Sequence, residues 1–184
     1  MNSFCPFSNH LEMAHSLWEK MITPDSIVID MTAGNGHDTL KLAELKPKKL
    51  IAIDIQKLAL ENAKIRTSDF DVEYIQISHA EFPDQLDNNS VDLAVYNLGY
   101  LPGGEKTLTT LTDSTIASIT KMLPKLKSKG ALSITCYPGH PEGKKEEEAL
   151  LDWASKLKPV DWMVFSTRFI NRKASPSLLW ISAS

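Results

Sequence analysis

The sequence is poor in the residues and patterns that would place it in a specialised class. It has two cysteines, Cys5 and Cys136, and no C-x-x-C pair. This excludes a disulfide scaffold and predicts two free thiols in a reducing cytoplasm. Nowhere do 18 apolar residues run together, so no segment reads as a membrane span. Met1 to Phe7 has neither the basic region nor the apolar stretch of a secretory signal. Five histidines are scattered without ligand spacing, and H-E-x-x-H is absent, so no metal is expected. No repeat or linker divides the chain, and its 184 residues read as one domain with room for a full core. Apolar content of 42% and charged content of 23% are those of an ordinary globular protein. Positive charge is not in excess. The net charge of −3 argues against nucleic-acid binding unless basic groups are concentrated locally.

What is present begins at Ile27-Val-Ile-Asp-Met-Thr-Ala-Gly-Asn-Gly-His-Asp-Thr39, with a second apolar run, Leu50 to Asp54, that ends in an acid. This reads as strand, glycine turn, helix start and second strand. Gly34 and Gly36 permit a sharp turn and close approach of a ligand, while Asp38 and Thr39 are candidates to cap the following helix. Asp54 follows Gly36 by 18 residues, the separation at which a carboxylate can accept hydrogen bonds from a ribose diol. The turn has Thr39 where a dinucleotide fingerprint has its third glycine, and no G-K-[ST] follows, so neither a dinucleotide nor a nucleoside triphosphate is expected. Asp30, at the end of the first strand, would repel phosphates but suits a cationic ligand, by direct contact or by polarising the turn. A ribose-bearing, positively charged cofactor without phosphates is S-adenosylmethionine. Asn35 and His37 in the turn, and Ile55 and Gln56 after Asp54, complete this candidate set.

Patterning predicts a helix over 9–21, preceded by Asn9 as cap, and strands at 26–30, 50–54, 74–77, 91–96 and 131–137. Helices are expected at 38–45, at 57–67 with Leu58, Leu60, Ala63 and Ile65 inward, and at 112–126 with Pro124 bending or dividing it. A further helix is expected to begin at Glu146-Glu-Glu148 and reach about Lys156, and final strands at 161–169 and 178–183 to form an edge hairpin. Alternating strands and helices make this an α/β protein with an open sheet, whose ligands gather beyond the strand carboxyl ends.

Two further loops belong to that edge. Asn97-Leu-Gly-Tyr-Leu-Pro-Gly-Gly104 offers the amide of Asn97 to hold an amino group, and the ring and hydroxyl of Tyr100 to flank a flat substrate. Tyr137-Pro-Gly-His140 offers His140 to shuttle a proton, orient the substrate or cap the loop. His79 is a candidate neighbour of the cofactor base, with Ala80 leaving room for a ring. Asn9 and His10 are candidates for a lid. Three basic clusters stand out: Lys46, Lys48 and Lys49; Lys121, Lys125, Lys127 and Lys129; and Arg168, Arg172 and Lys173. Only the last lies between late strands near the substrate edge. Asp92 is given no role, and Trp153, Trp162 and Trp180 read as core or oligomer contacts.

Together, Asp30 to Thr39, Asp54, Asn97 to Gly104 and Tyr137 to Gly143 resemble the class I S-adenosylmethionine-dependent methyltransferases. More narrowly they resemble the MnmM family of tRNA 5-aminomethyl-2-thiouridine methyltransferases, long labelled rRNA methylases. The resemblance covers nearly the whole chain. It implies a Rossmann-like sheet of seven strands, mostly parallel with an antiparallel edge hairpin, and a homodimer. It also implies methylation of the aminomethyl group at a wobble uridine, with the tRNA anticodon stem-loop as partner. Asn97 to Tyr100 is similar to the Asn-Pro-Pro-Tyr segment of amino-group methyltransferases, with Leu98-Gly99 replacing the prolines. On this reading Asn97, Tyr100 and His140 serve the reaction, and Tyr137, Arg168, Arg172 and Lys173 serve the substrate. Methylation of rRNA or of a small amine, and a non-catalytic nucleoside-binding domain, are the alternatives.

Overall fold

The computed structural model describes residues 7–99 and 111–184. Within them the elements run α1 (His10–Met21), β1 (Ile27–Asp30), α2 (His37–Glu44), β2 (Lys49–Asp54), α3 (Lys57–Arg66), β3 (Glu73–Gln76), β4 (Val91–Asn97), α4 (Thr112–Met122), β5 (Leu126–Cys136), α5 (Pro141–Ser155), β6 (Trp162–Arg168) and β7 (Ser177–Ala183). The strands form one sheet in the order β3-β2-β1-β4-β5-β7-β6. The first five are parallel, and β7 lies antiparallel between β5 and β6. This is the Rossmann-like arrangement expected, with its edge hairpin.

Strand alternation builds two cores, because successive side chains leave opposite faces of the sheet. Ile29, Ile51, Ala94, Tyr96, Leu132 and Leu179 face α4 and α5, where Ile119, Met122 and Leu150 meet them. Val28, Leu50, Leu93, Val95, Ala131 and Leu178 face the opposite way, against Ala14 and Trp18 of α1 and Leu42 of α2. Both faces are covered, as a parallel sheet requires. Trp18 is buried and its indole N–H donates to the Ser133 hydroxyl at 2.9 Å, fixing α1 over β5. Trp18→Phe keeps most of the ring burial and loses that bond, so it is expected to cost about 1 to 2 kcal/mol. Urea unfolding checks this; an unchanged midpoint would show that the bond contributes nothing.

Several sequence expectations change at the element ends. Residues 112–126 were expected to form one helix, but α4 stops at Met122 and Leu123–Lys125 form a single 3₁₀ turn, since Pro124 has no N–H to continue the ladder. β5 starts at Leu126, not 131, with a register shift around its first residues and Lys129 at φ 65. α5 starts at Pro141, not Glu146. His140 caps it by accepting from the Gly143 N–H at 3.1 Å, and proline suits the first turn. Glu146 and Glu147 are therefore buried mid-helix, accepting from the hydroxyls of Thr115 and Ser177. A Cβ on Gly143 would overlap the Tyr137 carbonyl, so the close strand-to-helix turn depends on that glycine.

On α3 the inward face is Ala59, Leu60 and Ala63, whereas Leu58 and Ile65 are 56% and 76% exposed. The expected inward set mixed two faces of one helix. Asp38 and Thr39 do not cap α2: its N-cap is Gly36, which has no side chain to contribute. Asn9 does cap α1, accepting from the Glu12 N–H at 2.9 Å. Asp92 lies at the other end of the sheet from the glycine turn. It accepts from the Ile27 N–H and pairs with Lys127, each at 2.7 Å. No helix among the described residues is long and apolar enough to cross a membrane.

Candidate active site

The sheet order reverses between β1 and β4, the switch point at which a crevice opens beyond the carboxyl ends of the strands. The two ends are joined there: the Met31 N–H donates to Val95 O at 2.8 Å, and the Asn97 N–H donates to the Thr32 hydroxyl at 2.7 Å.

The glycine turn is held from three sides. Asp54 accepts the Gly34 N–H and the Gln56 N–H, each at 2.9 Å, so the acid that ends β2 also shapes the loop after β1. Gly36 has φ 77, and a Cβ there would come within 2.6 Å of the Ala63 backbone, so α3 can approach the turn only because this residue is glycine. Asn35 accepts from the Asn62 amide through its side chain and from Arg66 through its carbonyl. Asp30 lies beneath the turn, fully buried, accepting from the Thr39 hydroxyl at 2.6 Å and the Thr32 N–H at 3.2 Å. Burial, with the nearby Asp38 charge, pushes its carboxyl up to about 7.

On the β2–β3 side of the glycine turn, His79 follows β3. Its ring lies edge-on to Tyr96 at 6.4 Å, and its buried Nε2 meets no hydrogen-bond partner among the described residues. Burial lowers its pKa, partly opposed by Asp54. Ile55 and His37 are exposed, and Gln56 is half-buried.

On the other side of the switch point is a chain of polar groups drawn from four elements. The Asn97 Nδ2 donates to Asp38 Oδ2 at 2.8 Å, and Asp38 Oδ1 lies 3.3 Å from His15 Nε2. The Tyr137 hydroxyl interacts with Asn97 and lies 3.2 Å from His10 Nε2, the two rings meeting edge-on at 5.4 Å. Burial, then the Asp38 charge, pushes the Tyr137 hydroxyl up to about 12, and burial lowers the pKa of His10. The protein thus presents a neutral amide and a protonated phenol beside one carboxylate.

His10 joins this site, but Tyr100 and the rest of the 97–104 segment beyond Gly99 lie outside the described residues. Sequence reasoning missed Asp38 as a site residue, having taken it for a helix cap, and missed His15. The usable signal was an acid two residues after the second glycine, opposite a helix with histidines five apart. His140 is held at the start of α5 by its capping bond. Arg168 lies 3.5 Å from Glu147, while Arg172 stacks on Phe169 and donates to Ser8 O at 3.0 Å. Lys173 is exposed in the same loop. Among the described residues no histidine, cysteine and carboxylate group has the makings of a metal site.

Comparison with known proteins fits this geometry. Residues 50–183 match the family described as "Putative rRNA methylase". A curated relative, the chloroplastic tRNA (mnm(5)s(2)U34)-methyltransferase of Arabidopsis thaliana, is 32% identical over 92% of this chain and 68% of its own length. The chain belongs to this family of class I S-adenosylmethionine-dependent RNA methyltransferases. Within the family, a protein of the same description from Clostridium thermocellum superposes with a TM-score of 0.90 at 28% identity, covering 97% of this chain and 99% of that one. A methyltransferase from Streptococcus mutans, solved in complex with SAH, superposes at 0.87 with 30% identity and the same coverages.

The cofactor is S-adenosylmethionine, and the residues present suit it. Asp54 carries acceptor oxygens at the end of β2 beside the glycine turn, and the buried Nε2 of His79 meets no partner among the described residues, polar groups of the kind a ribose and a base require. Asp54→Ala removes the acceptor of two backbone amides as well as the expected ribose contact. Affinity for S-adenosylhomocysteine should fall by roughly tenfold or more. Isothermal titration checks this, and wild-type affinity would remove Asp54 from the cofactor site.

Proposed function

We propose that this chain methylates the exocyclic amine of 5-aminomethyl-2-thiouridine at the wobble position of tRNA, giving 5-methylaminomethyl-2-thiouridine. The observation that carries the reading is Asn97. Its backbone is tied to Thr32 and its amide nitrogen to Asp38, which fixes the plane of the amide and the place of its carbonyl oxygen. A fixed amide oxygen at the switch point suits an amine N–H, and aligns the nitrogen lone pair with a methyl group. The name of the Arabidopsis relative supports the same substrate.

In this reading Gly34, Asn35 and Gly36 receive the methionine part of the cofactor, whose sulfonium supplies an activated methyl group. Asp30 braces the turn from beneath through Thr32 and Thr39, and His37, Ile55, Gln56 and His79 border the rest. Tyr137 and Tyr100 flank the uracil ring, and His140 keeps the β5–α5 turn in shape. Arg168, Arg172 and Lys173 border the approach of the anticodon stem-loop, a contribution that salt would weaken. The wobble base is reached by turning it outward, at modest cost because it already lies in a loop. The working form is a cytoplasmic homodimer.

The test combines purified protein, labelled cofactor and tRNA that carries the aminomethyl nucleoside, followed by nucleoside mass spectrometry. Formation of the methylaminomethyl nucleoside is expected. Intact cofactor binding with no such product would reject the substrate and leave the family assignment standing.

A further inference from the structure

An alkylammonium substrate cannot attack until it loses a proton, and the Asn97 amide cannot take one. The nearest carboxylate is Asp38, whose side chain is 9% exposed and shared between Asn97 and His15. His15 is 25% exposed, and behind it α1 carries Glu12 and Glu19 at its solvent face. The other ionisable groups around the carboxylate are His10 on α1, Lys41 on α2, Asp30 below the turn and Tyr137 after β5. Lys41 is paired with Glu19 at 2.6 Å, and Asp30 is sealed by Thr39 and Thr32. Tyr137 and His10 hold each other. Among the described residues, Asp38 and His15 thus link Asn97 to the partly exposed face of α1.

Resting on the amine reading above, we infer that Asp38 and His15 form the proton exit of the reaction. An N–H bond of the bound ammonium breaks as an O–H bond forms on Asp38. The freed nitrogen pair then makes the new C–N bond while the methyl C–S bond breaks, its electrons remaining on sulfur. The product leaves as a secondary ammonium, and the proton on Asp38 passes by way of His15 to water, one for each methyl transferred. The position of Asp38 serves this directly, because the same carboxylate that fixes the Asn97 amide also attracts the cation before it is deprotonated. Its charge already reaches Asp30, Tyr137 and His10, each of which it makes harder to deprotonate.

The experiment follows single-turnover methylation of tRNA carrying 5-aminomethyl-2-thiouridine, from about pH 6.5 to about pH 9.5, for wild type, Asp38→Asn and His15→Gln. Asp38→Asn keeps the shape and an oxygen for Asn97 but cannot take the proton. It is expected to be about a hundredfold slower near neutrality, gaining roughly tenfold per pH unit on the wild type as free amine becomes the form in solution. His15→Gln should show a smaller deficit, about tenfold, with the same recovery. Binding of S-adenosylhomocysteine reports that each variant is folded; should Asp38→Asn fail there, His15→Gln carries the comparison alone. A deficit that stays constant with pH, or variants within about threefold of wild type near neutrality, overturns the proton exit while leaving the substrate in place. A wild type that transfers no methyl group to this tRNA removes the amine itself, and both proposals with it.

Discussion

Asn97→Ala should slow methyl transfer by about a thousandfold while changing cofactor affinity far less, the signature of a contact that counts at the transition state. The alanine loses an amide held from both its backbone and its side chain at the switch point. It also strips Asp38 of the donor at 2.8 Å and Tyr137 of its neighbour. The backbone should not move, since the bond from the residue 97 N–H to the Thr32 hydroxyl does not depend on the side chain. Loss is therefore expected in the rate constant at saturating tRNA and cofactor. Asn97→Gln, one methylene longer, should restore little, because displacement of about 1 Å in a reacting group already costs about a hundredfold. Single-turnover measurements decide the matter: a rate within tenfold of wild type would assign amine alignment elsewhere.

The second large effect concerns stability and pH. The Asp30 carboxyl is raised from an ordinary 3.8 to about 7 by burial and by Asp38. The folded protein thus holds a proton that the unfolded chain gives up. The stability linked to this group is fully present below about pH 4 and is lost as pH rises through about 7, a total of about 4 kcal/mol. Asp30→Asn carries no such dependence, and its amide can donate to the Thr39 oxygen while accepting from the Thr32 N–H. Urea unfolding of the two proteins at about pH 5 and about pH 8 should show the variant gaining about 2 to 3 kcal/mol on the wild type. Other titrating groups are common to both and cancel. Parallel pH curves would mean that Asp30 is ionised throughout.

The frame of the glycine turn was legible because it is local. Gly34, Gly36 and Asp54 lie within 21 residues, and their spacing alone defines a strand, a turn and a second strand. The sheet was legible for the same reason, each strand carrying its own alternation. Helix faces and starts were harder. Leu58 and Ile65 are as apolar as Leu60, and only the approach of Ala63 to Gly36 selects which side of α3 turns inward. Glu146 and Glu147 read as an exposed helix start until His140 and Pro141 move that start five residues earlier. The polar cluster across the switch point was legible in part: Asn97, Tyr137 and His10 stood out, and Asp38 and His15 did not. His15, Asp38, Asn97 and Tyr137 span more than a hundred residues of sequence, and His15 reaches the others only because α1 docks over the sheet.

That docking makes the order of synthesis matter. α1 is made first, but the surface it packs on includes Leu178 and Trp180 of β7, and Met13 meets Thr167 of β6. Arg172, between those strands, grips Ser8 just ahead of the helix. On a ribosome, α1 completes its packing only once the last strand has entered the sheet. The glycine turn and Asp54 are synthesised long before β7, whereas His10 and His15 take their final places only when α1 is fully packed. A nascent chain is therefore able to form the glycine turn and its Asp54 contact early, and joins His15 to Asp38 and His10 to Tyr137 only when its two ends meet.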